Sequence, residues 1–387
     1  MEVIDEGGFG CVIKPPIRCK NGPEPKPTMI SKLQPNKYAK YEMKQIHKVK
    51  DVCKKIPNCN DYAVLDVKMC QPALKQNVFK KTKCSLLEEG LTGESYMVDS
   101  AKRKRKTIKK EDRNRTTLSI INMPYMGANL HRYIVHNVDF KRPGAFEQIN
   151  NSIIDLYKNF IMPLNKNHVY HNDIKTLNIL VGKDGHYRLI DWGIANNIVF
   201  SHRFIFNKPY MYILLSNYFI DKIQELKKKG RGSLNELEVE TAIVQYAELI
   251  KLNRSSDYLY TREILEFLYP DSHTRTHTHT HTHTHTHAYA HGSEIINKVL
   301  KDSLVQTAMR FKSSKEWTDI FIHNLDIVGV ALMYPDILCA MAMKHVNNSK
   351  LHQAIIQLYN KYVLECYEKI DPTEFIEDLN KLNLQVI

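Results

Sequence analysis

Several patterns are missing from this sequence, and each absence removes a class of function. The opening MEVIDEGGFG has neither a basic leader nor an apolar segment, so no secretory signal is expected. The eight cysteines (Cys11, Cys19, Cys53, Cys59, Cys70, Cys84, Cys339 and Cys366) include no Cys-x-x-Cys pair. That argues against a zinc site and predicts reduced thiols in a cytosolic or nuclear compartment. Long apolar runs free of charge are also lacking. The longest, LDIVGVALMYPDILCAMAM from Leu325, is interrupted by Asp326, Pro335 and Asp336, and reads as a buried core helix with no membrane partner.

What remains is a chain of 387 residues, long enough for two packed lobes, with 43% hydrophobic and 25% charged residues, as in ordinary globular proteins. About half of the formal net charge of +13 comes from AKRKRKTIKKEDRNR, residues 101–115. Such a run is read first as a solvated loop, with nuclear import through 102–115 as its functional alternative. No aromatic residue is interleaved with it, which argues against a nucleic-acid partner.

Up to Met123 the chain offers short apolar runs separated by Pro, Gly and Asn. Val12–Ile17 and Thr28–Leu33 flank an Asn21-Gly22 turn and predict a hairpin. A helix interrupts the strands in KYAKYEMKQIHKVKDVCKKI, where Tyr38, Tyr41, Ile46 and Val49 fall near one face. Beyond Met123 the pattern turns helical, with Ile149, Ile153, Leu156, Phe160, Ile161 and Leu164 on one stripe. Ser233 with Glu236, and Asp371-Pro372 with Glu374, read as helix starts. The expectation is an α+β protein with its strands and helices segregated. The tract 272–293 is a near-perfect His-Thr alternation with almost nothing apolar to bury, so a disordered insertion is expected there ahead of a metal-collecting strand.

Chemistry-bearing residues recur in a fixed order. EGGFGCV contains Gly7 and Gly10, which would let backbone approach a phosphate. Lys32 ends an apolar strand, and Glu42 lies on the helix that follows, within reach of an ion pair. HNDIKTLNIL (171–180) then sets His171, Asp173, Lys175 and Asn178 among apolar anchors, and RLIDWG brings Asp191 before Gly193.

Taken together, these motifs resemble the eukaryotic-type protein kinases, whose signature is a Gly-rich loop, a strand lysine, a helix glutamate, His-Arg-Asp-x-Lys-x-x-Asn and Asp-Phe-Gly. The chain looks most like the casein-kinase and vaccinia-related branch, including kinases of large DNA viruses. The resemblance implies a bilobal fold: a β-rich lobe over 1–123, then a hinge and helical lobe over 124–387 with an insertion at about 214–322. It implies ATP and Mg²⁺ or Mn²⁺ as cofactors, and a protein substrate bearing a serine or threonine hydroxyl. Asp173 would orient that hydroxyl and Lys175 steady the transferring phosphate. Asn178 and Asp191 would hold metal, and Lys32, set by Glu42, would grip phosphates. Ile4, Val12, Ile30 and Leu180 would enclose the adenine, with Met123 as gatekeeper and Pro124, Tyr125 and Met126 as hinge. Asp326 resembles the aspartate that braces the catalytic loop.

The departures carry expectations of their own. Asp5 stands where the first glycine belongs, which would weaken nucleotide binding. Asn172 replaces the arginine that reads a phosphorylated activation segment, so activity is expected to be independent of that modification. Trp192 replaces the phenylalanine, and FNKPYMY (206–212) is the nearest thing to a substrate-docking turn. A small-molecule kinase of the choline or aminoglycoside type, and a catalytically weak pseudokinase scaffold, are the alternatives. Lys175 and the glycine-rich loop count against the first, and the presence of Lys32, Asp173 and Asp191 against the second.

Overall fold

The computed structural model describes residues 2–7, 10–73, 84, 118–196, 225, 228, 310, 311 and 313–386. It is mixed α+β, with its main sheet in the N-terminal part and mostly helices in the C-terminal part. Two compact units divide the chain: Met1–Tyr133 with Asp155–Phe204, and Ile134–Ile154 with Ile205–Ile387. The segment containing HNDIKTLNIL and Asp191 therefore belongs to the same unit as the sheet.

In the first unit, β1 (Glu2–Gly7), β2 (Gly10–Lys14), β3 (Met29–Pro35), β4 (Lys68–Cys70) and β5 (Leu118–Pro124) form an antiparallel sheet in the order β1-β2-β3-β5-β4. The expected hairpin is present as β2 and β3. Asn21 in their connection adopts the left-handed conformation that asparagine tolerates (φ 62°). Helix α1 (Asn36–Cys53) follows β3 and buries Ala39, Glu42, Gln45, Ile46 and Val49. Two of these are polar, which hydrophobic spacing does not anticipate. One face of the sheet packs Cys11, Ile13, Ile17, Cys19, Leu33, Cys84 and Ile120 into a cluster. Beside it Ser31 and Asn122 satisfy each other across β3 and β5, and Asn122 also donates to the Ile17 carbonyl at 3.2 Å.

The cysteines correct the expectation of reduced thiols. Cys11 bonds to Cys84, Cys19 to Cys70 and Cys53 to Cys59, and Cys339 and Cys366 take part in no disulfide among the described residues. Spacing along the chain missed these pairs because two of them join residues 73 and 51 positions apart, a proximity that only the folded chain creates. The thiol argument for a cytosolic compartment thereby loses its premise.

The helical stripe expected after Met123 is observed. Helix α2 (Leu130–His136) precedes α3 (Ala145–Leu156), which continues through one wider turn (Tyr157–Ile161) into α4 (Met162–Lys166). Ile149, Ile153, Leu156, Phe160, Ile161 and Leu164 are all buried along it. Most of α3 belongs to the second unit, whereas α4 and a short ribbon of β6 (Ile179–Val181) and β7 (Tyr187–Leu189) belong to the first.

The second unit contains α5 (Ser314–Ala331), α6 (Met333–Met343), α7 (Ser349–Tyr359) and α8 (Pro372–Asn383). Each of α5, α7 and α8 starts on a side chain that accepts from the helix's first turn: Ser313, Asn348 and Asp371. The Asp371-Pro372 start is the one expected from sequence. The apolar stretch from Leu325 runs through α5 and α6, and Lys315–Met343 is long and apolar enough to cross a membrane. Its apolar window is 78% buried inside the protein, as a core helix would be. The basic run 102–115, Ser233, FNKPYMY and the His-Thr tract lie outside the described residues. So does most of the expected insertion, whose last residues already belong to α5.

Candidate active site

Strand alternation puts Ile30, Lys32 and Gln34 on one face of β3, opposite the cysteine cluster. Helix α1 runs back along that face and brings Glu42 to Lys32. The Lys32 ammonium donates to both Glu42 oxygens, at 3.1 and 2.9 Å, and to Asp191 Oδ1 at 2.9 Å, joining residues 159 positions apart. Asp191 holds a left-handed backbone conformation (φ 64°) at the start of the turn Trp192–Ile194, where its carboxylate accepts from Gly193 N–H.

Burial penalises every charge in this cluster. For Lys32 the carboxylates of Asp191 and Glu42 outweigh that penalty and push the ammonium well above its ordinary range. Burial also opposes ionisation of Asp191, but Lys32 overrides it and holds the carboxyl down at about 2. In Glu42 burial wins over Lys32, and the carboxyl is pushed up.

The loop 171–178 ends in a tight turn (Thr176–Asn178) that feeds β6. Lys175 reaches back to both oxygens of Asp173, at 3.0 and 2.8 Å. Asn178 Nδ2 donates to the Asp173 carbonyl and to its Oδ2, each at 2.8 Å. Burial raises the Asp173 carboxyl, partly offset by Lys175, and the nearby Asp191 charge raises it further. Asp173 N–H donates to His171 Nδ1 at 3.3 Å, which leaves Nε2 to carry the proton and donate to the Ile190 carbonyl at 2.9 Å. His171 therefore braces the loop against the chain just before Asp191. Its ring meets Trp192 edge-on at 4.7 Å, and Trp192 in turn meets Phe160 at 6.3 Å, so the tryptophan is a buried anchor under the loop.

The other expected residues fall as follows. Val12 pairs across with Lys32, and Ile30 with Met123, so Val12, Ile30, Lys32 and Met123 share one sheet face. Asp5 lies opposite Val12, and Ile4 sits in the irregularity between Val3 and Asp5. Leu180 is buried and bridges to Asn129, and Val181 N–H bonds the Ala128 carbonyl, which ties the segment after Met126 to β6. Pro124 ends β5. Tyr125 is exposed, with the Lys14 ammonium 4.1 Å from its ring centre, and its main-chain N–H donates to the Thr28 carbonyl. Gly7 pairs with Gly10 at the tip of the first hairpin. A side chain at Gly10 would strike the Leu33 carbonyl, so that glycine answers to sheet packing before any phosphate. Asp326 is buried on α5 in the second unit.

Two positioning groups were missed by sequence reasoning. Gln34 is buried and donates to Glu42 Oε2 at 2.8 Å. Asn196 donates to Gln45 of α1 at 3.3 Å and pairs with the backbone of Tyr170, so one residue ties the helix to the start of the loop. The period-two pattern of β3 carried a signal for Gln34; none was available for Asn196. No family model and no curated protein matches this chain.

The cluster has three carboxylates (Glu42, Asp173 and Asp191) against two ammonium groups (Lys32 and Lys175). A net negative charge beside the partly exposed Asp191 and the Asn178 amide suits a hard divalent cation held by oxygens. The same cluster offers Lys32 to an anion.

Proposed function

We propose that this protein is an ATP-dependent protein kinase with a bilobal kinase fold that transfers the γ-phosphate to serine or threonine hydroxyls. One observation carries the reading: Lys32, Glu42 and Asp191, from a strand, a helix and a distant turn, meet in one partly buried ion cluster. Asp173, Lys175 and Asn178 bond to one another in the same unit. Each of these residues separately has an ordinary structural role, but a structural need for the whole ordered set is hard to find.

Phosphoryl transfer asks a protein chiefly to position groups and offset charge. Lys32 supplies a permanent positive charge to the α and β phosphates, and Glu42 aims it. Asn178 and Asp191 would hold Mg²⁺, which when bound neutralises phosphate charge and leaves phosphorus open to attack. Asp173, raised by burial, accepts a hydrogen bond from the substrate hydroxyl and takes its proton. Lys175 holds Asp173 in place until substrate enters, then turns its charge to the phosphate in transfer. His171 and the buried Trp192 keep the loop from following these side chains as they move.

The test is transfer from labelled ATP with Mg²⁺ to a panel of acidic and basic proteins, a peptide library and choline, with phosphoamino-acid analysis. Phosphoserine or phosphothreonine is expected. Asp191→Ala and Lys32→Met should each lower turnover by about 10²-fold or more with the fold intact. Phosphocholine as the product would move the protein to the small-molecule kinases.

A further inference from the structure

We propose that Gln34 is a positioning residue for the nucleotide site: its side-chain amide holds Glu42 in the ionised, two-oxygen grip that aims Lys32. This rests on the kinase reading. Gln34 lies two residues past Lys32 on the same strand, so both side chains rise from one face of the sheet. It is 1% exposed and Glu42 3%, which leaves solvent no part in stabilising the Glu42 charge. That charge depends on two donors, Lys32 Nζ at 3.1 and 2.9 Å and Gln34 Nε2 at 2.8 Å.

The amide can serve in one orientation only, because a flip would set its carbonyl oxygen against Glu42 Oε2. In the observed orientation Gln34 Oε1 finds no hydrogen-bond partner among the described residues. A buried acceptor left unmade is a cost that a methionine of similar shape would avoid. The return on that cost is the bond to Glu42. Gly10 makes the arrangement possible. A β-carbon at position 10 would come within 3.0 Å of Gln34 Cβ as well as striking Leu33, so the glycine of the first hairpin leaves the room Gln34 occupies. Without the amide, burial would drive Glu42 toward its neutral form, and Lys32 would keep Asp191 as its one charged partner.

The experiment compares wild type with Gln34→Met, which keeps shape and removes the donor, and Gln34→Glu, which sets a second carboxylate beside the first. Two quantities are read in the full chain: the KM for ATP from pH 5.5 to 9, and the titration of Glu42 by carboxyl carbon NMR, assigned with Glu42→Gln. In Gln34→Met the KM should rise about tenfold at neutral pH, the loss of one hydrogen bond to a charge. The deficit should shrink as pH rises and Glu42 is forced to ionise. The Glu42 midpoint should move up in both variants, further in Gln34→Glu. A KM deficit equal at every pH, or a Glu42 midpoint unmoved in a variant that folds, would overturn the proposal. Wild-type protein that transfers no phosphate would end the kinase reading, while the Glu42 midpoint would still decide the role of Gln34.

Discussion

Asp173 and Asp191 belong to one cluster of charges, yet their surroundings push them in opposite directions. Burial raises Asp173, whereas Lys32 overrides burial at Asp191 and holds it at about 2. A raised carboxyl binds its proton more tightly folded than unfolded, so its charged form costs stability as pH climbs past the ordinary carboxylate range. Asp173→Asn should therefore abolish turnover without lowering the unfolding midpoint at pH 7, as urea melts of an inactive variant would register. Asp378 on α8 is the opposite case. Burial opposes its charge, but Lys361, Lys381 and the Tyr362 hydroxyl bond it and lower it to about 2. Its stabilisation is present above the unfolded carboxylate range and lost as pH falls toward that value. Asp378→Asn should cost about 1–2 kcal/mol at pH 7, with a smaller difference from wild type at pH 3.

At the scale of elements, β2 bears more than its five residues suggest. It presents Val12 to the site face and Cys11 to the opposite cluster, where the bond to Cys84 closes a 73-residue separation. Loop-closure entropy puts that bond at about 4 kcal/mol. Cys11→Ser, or treatment with a dithiol, should lower the urea midpoint of the first unit. An unchanged midpoint and two titratable thiols at Cys11 and Cys84 in untreated protein would count against the bridge. The hairpin of β2 and β3 was legible in sequence because its turn residues and alternation act locally. Lys32, Glu42, Asp173, Asn178 and Asp191 were legible because their order and spacing survive in one dimension. The disulfides and the Asn196 tie were not, because each depends on which segments become neighbours; the period-two signal set Gln34 on the face of Lys32 but did not name its partner. The polar face of α1 was lost for the same reason: Glu42 and Gln45 are buried by their partners, not by their hydrophobicity.

At the scale of the whole molecule, the net charge of +13 and the His-Thr tract mark the sequence most visibly, and the basic run and the tract both lie outside the described residues. A tract with almost nothing apolar contributes little to any core. Deletion of residues 272–292 should leave the thermal midpoint and basal transfer within error of wild type, and a requirement for stoichiometric zinc in that tract would contradict this. The bridges have a consequence for connectivity. Cys53–Cys59 lies inside Cys19–Cys70, which lies inside Cys11–Cys84, like three nested brackets. A protease that cuts once between residues 20 and 52 severs the main chain but leaves two bridges spanning the gap. The nicked protein would keep its mass on an unreduced gel and separate into two pieces only after reduction. The strand lysine and the helix glutamate, both within that bracketed stretch, would stay tethered to the rest of the molecule after the backbone between them had been broken.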